Sequence, residues 1–335
     1  MKKSLFTIVL ALFVSANFST VWNVNNIPGM AAYFNNLDVA CTSSDVADYD
    51  TLYVYGSPSL YSDVTITRPL TIIGPGYFLN QNPGLQNNLT PATVNGILFE
   101  VGSSGSLISG MTLTNLNVNA SNVVVQRNCI DRLCIYGSNC IVLQNYISNP
   151  QMYQTEIYVD GANYLIANNY IPGAQVGFSF QSTGNASGVF ANNIVEGTCY
   201  FYNADVYNCI FKCIFDDSYW GWVFSYDANT SFHHNVFRAM NNWSWQTDTS
   251  ITGDGNLYDV PGELYVATGS PDGFYQLCPG SPARGAGING QDCGIFGGLE
   301  PYRLSGIPAI PTIYEFTAPA TGFVIPVQIK ARSNN

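Results

Sequence analysis

Residues 121–147 read SNVVVQRNCIDRLCIYGSNCIVLQNYI, and the stretch says nearly the same thing twice. SNVVVQRNCI (121–130) and SNCIVLQNYI (138–147) share a second-place Asn, an apolar run, a second Asn and an apolar close. The second Asn returns as Asn169 in ANYLIANNYI, Asn193 in ASGVFANNIV, Asn208 in ADVYNCIF and Asn235 in NTSFHHNVF, with Gly110 in its place in GSLISGMTL. The anchors 110, 128, 145, 169, 193, 208 and 235 are separated by 18, 17, 24, 24, 15 and 27 residues. The period is loose and the phrase is constant, which is how a repeat architecture reads when its loops vary.

Before each anchor, apolar side chains alternate: Val123 and Val125, Cys140 and Val142, Tyr164 and Ile166. Two residues after it stand Ile130, Ile147, Ile171, Val195 and Phe237. Alternation of this kind is a strand with one buried face. Each unit is then strand, tight turn, strand and variable loop, with no helical stretch between. Copies of such a unit stack as a parallel β-solenoid, rising about 4.8 Å per coil. The spacing predicts roughly eight to ten coils. The turn needs a residue that tolerates the left-handed region, which Asn or Gly supplies. Stacked Asn128, Asn145, Asn169, Asn193 and Asn235 are expected to form a structural ladder.

Composition agrees with an all-β extracellular protein. Of 335 residues only 10% are charged, against about 25% ordinarily. The apolar content of 47% excludes disorder. A net charge of −11 argues against nucleic acid and against polyanionic substrates, which need a basic groove. Residues 1–16, MKKSLFTIVLALFVSA, carry two lysines, a short apolar run and a small-residue end. They predict a cleaved signal peptide, and hence a secreted or cell-surface chain that is not integral to a membrane. Nine cysteines are compatible with export, and Cys278 and Cys293, flanking a Gly-rich loop, are the expected disulfide. The two His are adjacent and no CxxC occurs, so no metal site is expected.

Three stretches resemble the exported right-handed parallel β-helix proteins of the pectin-lyase-like superfamily. DYDTLYVYGSPSLYSDVTITRPLTIIGPG (48–76) is similar to that family's opening coil, with Tyr49 where the family has Gly and Arg68 where it has Lys. The Asn phrases are the second, and CPGSPARGAGINGQDCGIFGG (278–298) resembles the closing coil. The resemblance implies a right-handed β-helix with an N-terminal cap over residues 17–300. Residues 301–335 are Pro-punctuated and hold two apolar strands, TIYEFTA and FVIPVQIKA, expected as a C-terminal β-hairpin cap.

Family enzymes act on polysaccharides with carboxylates, basic groups and sometimes Ca²⁺. FDDSYWGW and SFHHNVFR supply Asp216, Asp217, His233 and Arg238 in a galacturonase-like order, but without the glycines flanking the family's His or its final Lys. In strand geometry neighbouring Asp side chains point to opposite faces. Tyr219, Trp220, Trp222, Trp243 and Trp245, with Asp227, form an aromatic-rich flank suited to stacking sugar rings. The expectation is a non-catalytic β-helix protein that binds an extracellular polysaccharide or adheres through this flank. It needs no cofactor. The alternative is a polysaccharide lyase or glycoside hydrolase, with Ca²⁺ possible only for a lyase. The sequence leaves the oligomeric state open.

Overall fold

The computed structural model describes residues 19–147, 157–172, 180–197, 199–212, 224–226, 228–238, 255–258, 260–318 and 326–334. Within them the chain is all-β apart from one short helix, Leu37–Thr42, and a few 3-10 turns. The helix buries Leu37, Ala40 and Cys41 and packs on the strand Val64–Ile66.

The repeated phrase folds as strand, turn, strand. Its first strands are Val124–Gln126 and Ile141–Leu143, and its second are Cys129–Ile135 and Tyr146–Ile147. The copies pair in parallel, Val125 beside Val142 and Ile130 beside Ile147. Carried along the chain, this gives two long parallel sheets. The first has ten strands, from Val21–Val24 to Ser231–His233. The second has fourteen and forks at Cys129–Ile135, whose beginning pairs with Tyr146–Ile147 and whose end pairs with Ile157–Val159. Each coil therefore carries three strand faces, the pairing of a parallel solenoid: the first sheet, the short strands after the turn, and the strands from Val64–Ile66 to Phe224–Tyr226. In Thr93–Phe99, Thr112–Val118 and Cys129–Ile135 one strand serves the second and third faces. Later, residues 148–156, 173–179 and 213–223 come between them.

Alternation fills the bore. Ile108, Val125, Val142, Ile166, Phe190 and Val206 stack from the first face, and Ile130, Ile147, Ile171, Val195, Phe211 and Phe237 from the second, all fully buried. Side chains of this size each stabilise the fold by about 1.5–3 kcal/mol on burial.

The turn holds the stack in register. Asn145 Oδ1 accepts from Asn128 N at 2.9 Å, Asn169 Oδ1 from Asn145 N at 2.9 Å, and Asn193 Oδ1 from Asn169 N at 2.8 Å. The amides also reach inward: Asn145 Nδ2 donates to Val125 O and Asn169 Nδ2 to Val142 O. The next rung is Cys209, whose sulfur accepts from Asn193 N at 3.4 Å, followed by Asn235 and Asn256. Two expectations shift here. The left-handed residue is one place before the ladder Asn: Gly110, Arg127, Gln144, Asn168, Asn192, Asn208 and His234 have φ between 53° and 73°. Asn208, read from the sequence as an anchor, belongs to this column, and so does Gly110. The phrase's first Asn (Asn122, Asn139, Asn163) is also left-handed and starts the first strand. Tyr49, standing where the family has Gly, has φ 67°.

The segment expected as a closing coil does something else. Residues 278–298 contain no strand. They continue to residue 307 as a strap lying lengthwise along the solenoid, gripped by the left-handed column. Asn208 Oδ1 accepts from Ile288 N, Asn192 Nδ2 donates to Asp292 O, and Asn168 Nδ2 donates to Ile295 O and Gly297 O. Further along, Gln144 Nε2 donates to Pro301 O and Arg127 Nη1 to Ile307 O. A Gly-rich, charge-poor segment suits this role, because its backbone carbonyls are the recognised groups. Beneath the strap and the chain leading to it, Tyr170, Ile194, Ile210 and Val236 from the second face meet Leu264, Tyr265, Leu277, Ile295 and Tyr302 in a second core. The strap runs back toward the N-terminal coils, where Tyr77 pairs with Tyr302 and buried Asp272 accepts from Asn82 and Ser305. There the antiparallel hairpin Thr312–Thr317 with Gln328–Arg332 hydrogen-bonds the loop at Leu85 and Asn87. The hairpin forms as the sequence predicts, at a place remote from the last coil.

Candidate functional site

The three outer faces differ in chemistry. On the first, Leu107, Val124, Ile141, Leu165 and Val189 stand in one row, partly shielding one another. The second is covered by the strap and the chain before it. The third carries rings and hydrogen-bonding groups in rows: Tyr136, Tyr158, Asp160, Gln181, Thr183, Tyr200 and Tyr202.

Register builds the third face. Asn117, Cys134, Tyr158, Gln181 and Tyr200 are successive Cα partners across five coils. Their inward neighbours, including Val118, Ile135, Val159 and Phe201, are fully buried. Tyr136 is 47% exposed, with its ring 5.8 Å from that of Tyr158. The Tyr200 and Tyr202 rings lie edge to face at 5.0 Å with hydroxyls 2.9 Å apart. Asp160 accepts from Thr183 and Asn185. Tyr200 is then the Cα partner of Ser225, in the strand that directly follows residues 213–223. Asp216, Asp217, Tyr219, Trp220, Trp222, Asp227, Trp243 and Trp245 all lie outside the described residues. The stretch holding the first five leads into the third face.

His233 and Arg238 are not brought together. His233 lies in the first sheet and Arg238 in the second, on either side of the Asn235 turn. The sequence places His233 facing outward, and it is half-buried with Nε2 2.9 Å from Asp205 Oδ1. Ser231 Oγ donates to that same oxygen at 2.7 Å, and the His233 ring stacks on Tyr207. Because Asp205 sits between the hydroxyl and the imidazole, the histidine has no hydrogen bond to Ser231 through which to activate it. Sequence reasoning missed Asp205. With Cys209 as the rung, Asp205 and Ser231 both fall four places before the ladder, and their pairing follows. Among the described residues, Nδ1 of His234 is buried without a hydrogen-bond partner.

Arg238 ends its strand beside Lys212, its Cα partner, and Lys212 Nζ pairs with Glu196 Oε1 at 3.2 Å. Glu196 Oε2 accepts from Tyr170 OH at 3.1 Å. At the equivalent bend three coils earlier, burial pushes Asp131 up to about 6.

Cys278 and Cys293 are separate thiols in the structure. Cys278 Sγ donates to Glu263 O at 3.2 Å and Cys293 Sγ to His234 O at 3.3 Å. Placing residues 278–298 along the strap, rather than around a loop, takes the two sulfurs to different neighbours. Burial pushes the Cys209 and Cys293 thiols well up, Cys293 to about 12, so neither is a ready nucleophile. Among the described residues no three His, Cys, Asp or Glu side chains are grouped to hold a metal ion, and no helix is long and apolar enough to cross a membrane. Comparison with family models, curated proteins and solved structures finds no match to this chain.

Proposed function

We propose that this chain is an exported, right-handed parallel β-helix protein of the pectin-lyase-like kind, and that it binds an extracellular polysaccharide on its third face without transforming it. One observation carries the reading. The third face combines aromatic rings with amide, hydroxyl and carboxylate groups in rows that repeat at strand spacing over several coils and continue into the strand after the Trp-rich stretch. An apolar ring face beside oriented hydrogen-bonding groups is how carbohydrate is recognised in water. The right hand follows the general preference of parallel crossovers. The non-catalytic reading is supported by His233 and Arg238 standing in different sheets on either side of the Asn235 turn, whereas the acid and its partner group in a glycosidase flank one scissile bond.

A glycan array and affinity electrophoresis in soluble polysaccharides test the proposal. Wild type should be retarded. Tyr136→Ala with Tyr158→Ala, and separately Trp220→Ala with Trp222→Ala, should each weaken binding by about two- to tenfold per ring lost. No retention by wild type on any glycan, or release of reducing or unsaturated sugars, sinks it.

A further inference from the structure

The C-terminal hairpin is amphipathic, with its polar side toward its own chain. Cross-strand register sorts its side chains into two faces. One holds Thr312, Glu315 and Thr317 opposite Arg332, Lys330 and Gln328. At its base this polar face meets the loop at Leu85: Thr312 is buried, and Arg332 Nη2 donates to Leu85 O at 2.7 Å. Further out, Glu315 and Lys330 neutralise one another at 2.7 Å. The other face pairs Ile313 with Ala331 and Phe316 with Ile329. Val327 stands two places before Ile329, on the same side of an alternating strand.

That apolar face is bare. Ile313 is 45% exposed, Phe316 49%, Val327 53% and Ile329 54%. Together the four leave roughly 400 Å² of mostly apolar surface, a size at which a patch on one chain marks an interaction surface. A two-stranded hairpin by itself is marginal, and a sheet face of this kind is stabilised by a second layer about 10 Å away. Electrostatics favour a copy of this chain as that layer. The net charge is −11, yet residues 312–332 hold one acid and two bases, and the apolar face holds no charge. Two hairpins can therefore meet without the repulsion that other surfaces of an acidic chain bring. Face to face about a two-fold axis they bury roughly 800 Å² from these side chains, the apolar share of an interface at the small end of the specific range.

We propose that the hairpin is a self-association surface, through which two copies of the chain pair face to face as a four-stranded, two-layer sandwich with Phe316 and Ile329 at its centre. The contact uses no residue of the tyrosine rows and holds whether or not the third face binds a glycan.

The test is sedimentation velocity of the purified protein over concentrations from about 1 to 200 µM, the range an interface of this size implies. The sedimentation coefficient should rise with concentration from that of a monomer to that of a dimer. Added salt should move the midpoint by less than about twofold, because the contact is apolar. Phe316→Thr with Ile329→Thr removes apolar surface but keeps strand-forming residues, so the hairpin persists while association weakens at least about tenfold. Glu315→Gln with Lys330→Gln alters only the opposite face and should associate like wild type, as should Tyr136→Ala. A wild type that stays monomeric at the highest concentration overturns the proposal, and flotation of that monomer with phosphatidylcholine vesicles assigns the face to a lipid surface instead. Association undiminished in the Thr pair, or weakened equally by the Gln pair, overturns it as well.

Discussion

Replacing one rung of the Asn ladder tests whether the turn amides hold the solenoid together. Asn145 lies fully buried. Its Oδ1 receives Asn128 N at 2.9 Å, and its Nδ2 donates to Val125 O at 2.9 Å and to Asn169 Oδ1 at 2.9 Å. Asn169 Oδ1 keeps the Asn145 backbone N–H as a donor, and Asn128 Nδ2 keeps two carbonyls. In Asn145→Ala the group left without a partner is thus the Asn128 N–H, because the Val125 carbonyl keeps its ladder bond from Leu143 N. A buried group left unsatisfied costs about 1–3 kcal/mol, and that is the expected loss. Asn145→Cys should cost roughly half as much, because at Cys209 a sulfur fills the same rung, accepting from Asn193 N and donating to Phe190 O. Urea unfolding followed by far-UV circular dichroism gives the stability order. Amide exchange at Asn128 gives a local reading that does not depend on all-or-none unfolding, which solenoids need not show. An Ala variant within about 1 kcal/mol of wild type, or a Cys variant no better than Ala, refutes the reasoning.

Three further outcomes follow from particular contacts. Asn168→Gly keeps the left-handed backbone but deletes the bonds to Ile295 O and Gly297 O, so exchange of the strap amides near residues 295–302 should quicken about tenfold while the first-face strands stay protected. Asp131 is raised to about 6 by burial, above the unfolded value near 3.9, so the fold favours its protonated form. That contribution is full below about pH 4, is lost as pH rises toward 6, and is constant above; Asp131→Asn should therefore gain stability relative to wild type between pH 4.5 and 7.5, and an unchanged difference across that range contradicts the assignment. Dithiothreitol should leave the melting temperature unchanged, and alkylation after denaturation without reductant should modify Cys278 and Cys293; a drop in melting temperature would show that the two are bonded.

The sequence by itself determined the solenoid. Period-two alternation around a repeated Asn dictates strands that bury one face, and identical phrases bury it best against their own copies. The hairpin was legible for the same reason, as two short apolar strands bounded by proline. The phrase did not reveal which of two adjacent positions is left-handed, because Asn suits both roles: at Asn168 and Asn169 each role is filled by the same residue type. Only Arg127, Gln144 and His234, poor candidates for a left-handed turn, expose the column once the backbone is seen. Tertiary structure alone decided the course of residues 278–307. Their glycines allow a coil or a strap equally, and what selects the strap is a column of side chains from five separate coils that meets its backbone groups. The same holds for the tyrosine face and for the pairing of Lys212 with Arg238. Each gathers residues from successive coils, and the neighbours are fixed by parallel register at strand spacing, whereas along the chain they stand 16 to 26 residues apart, separated by loops of unequal length.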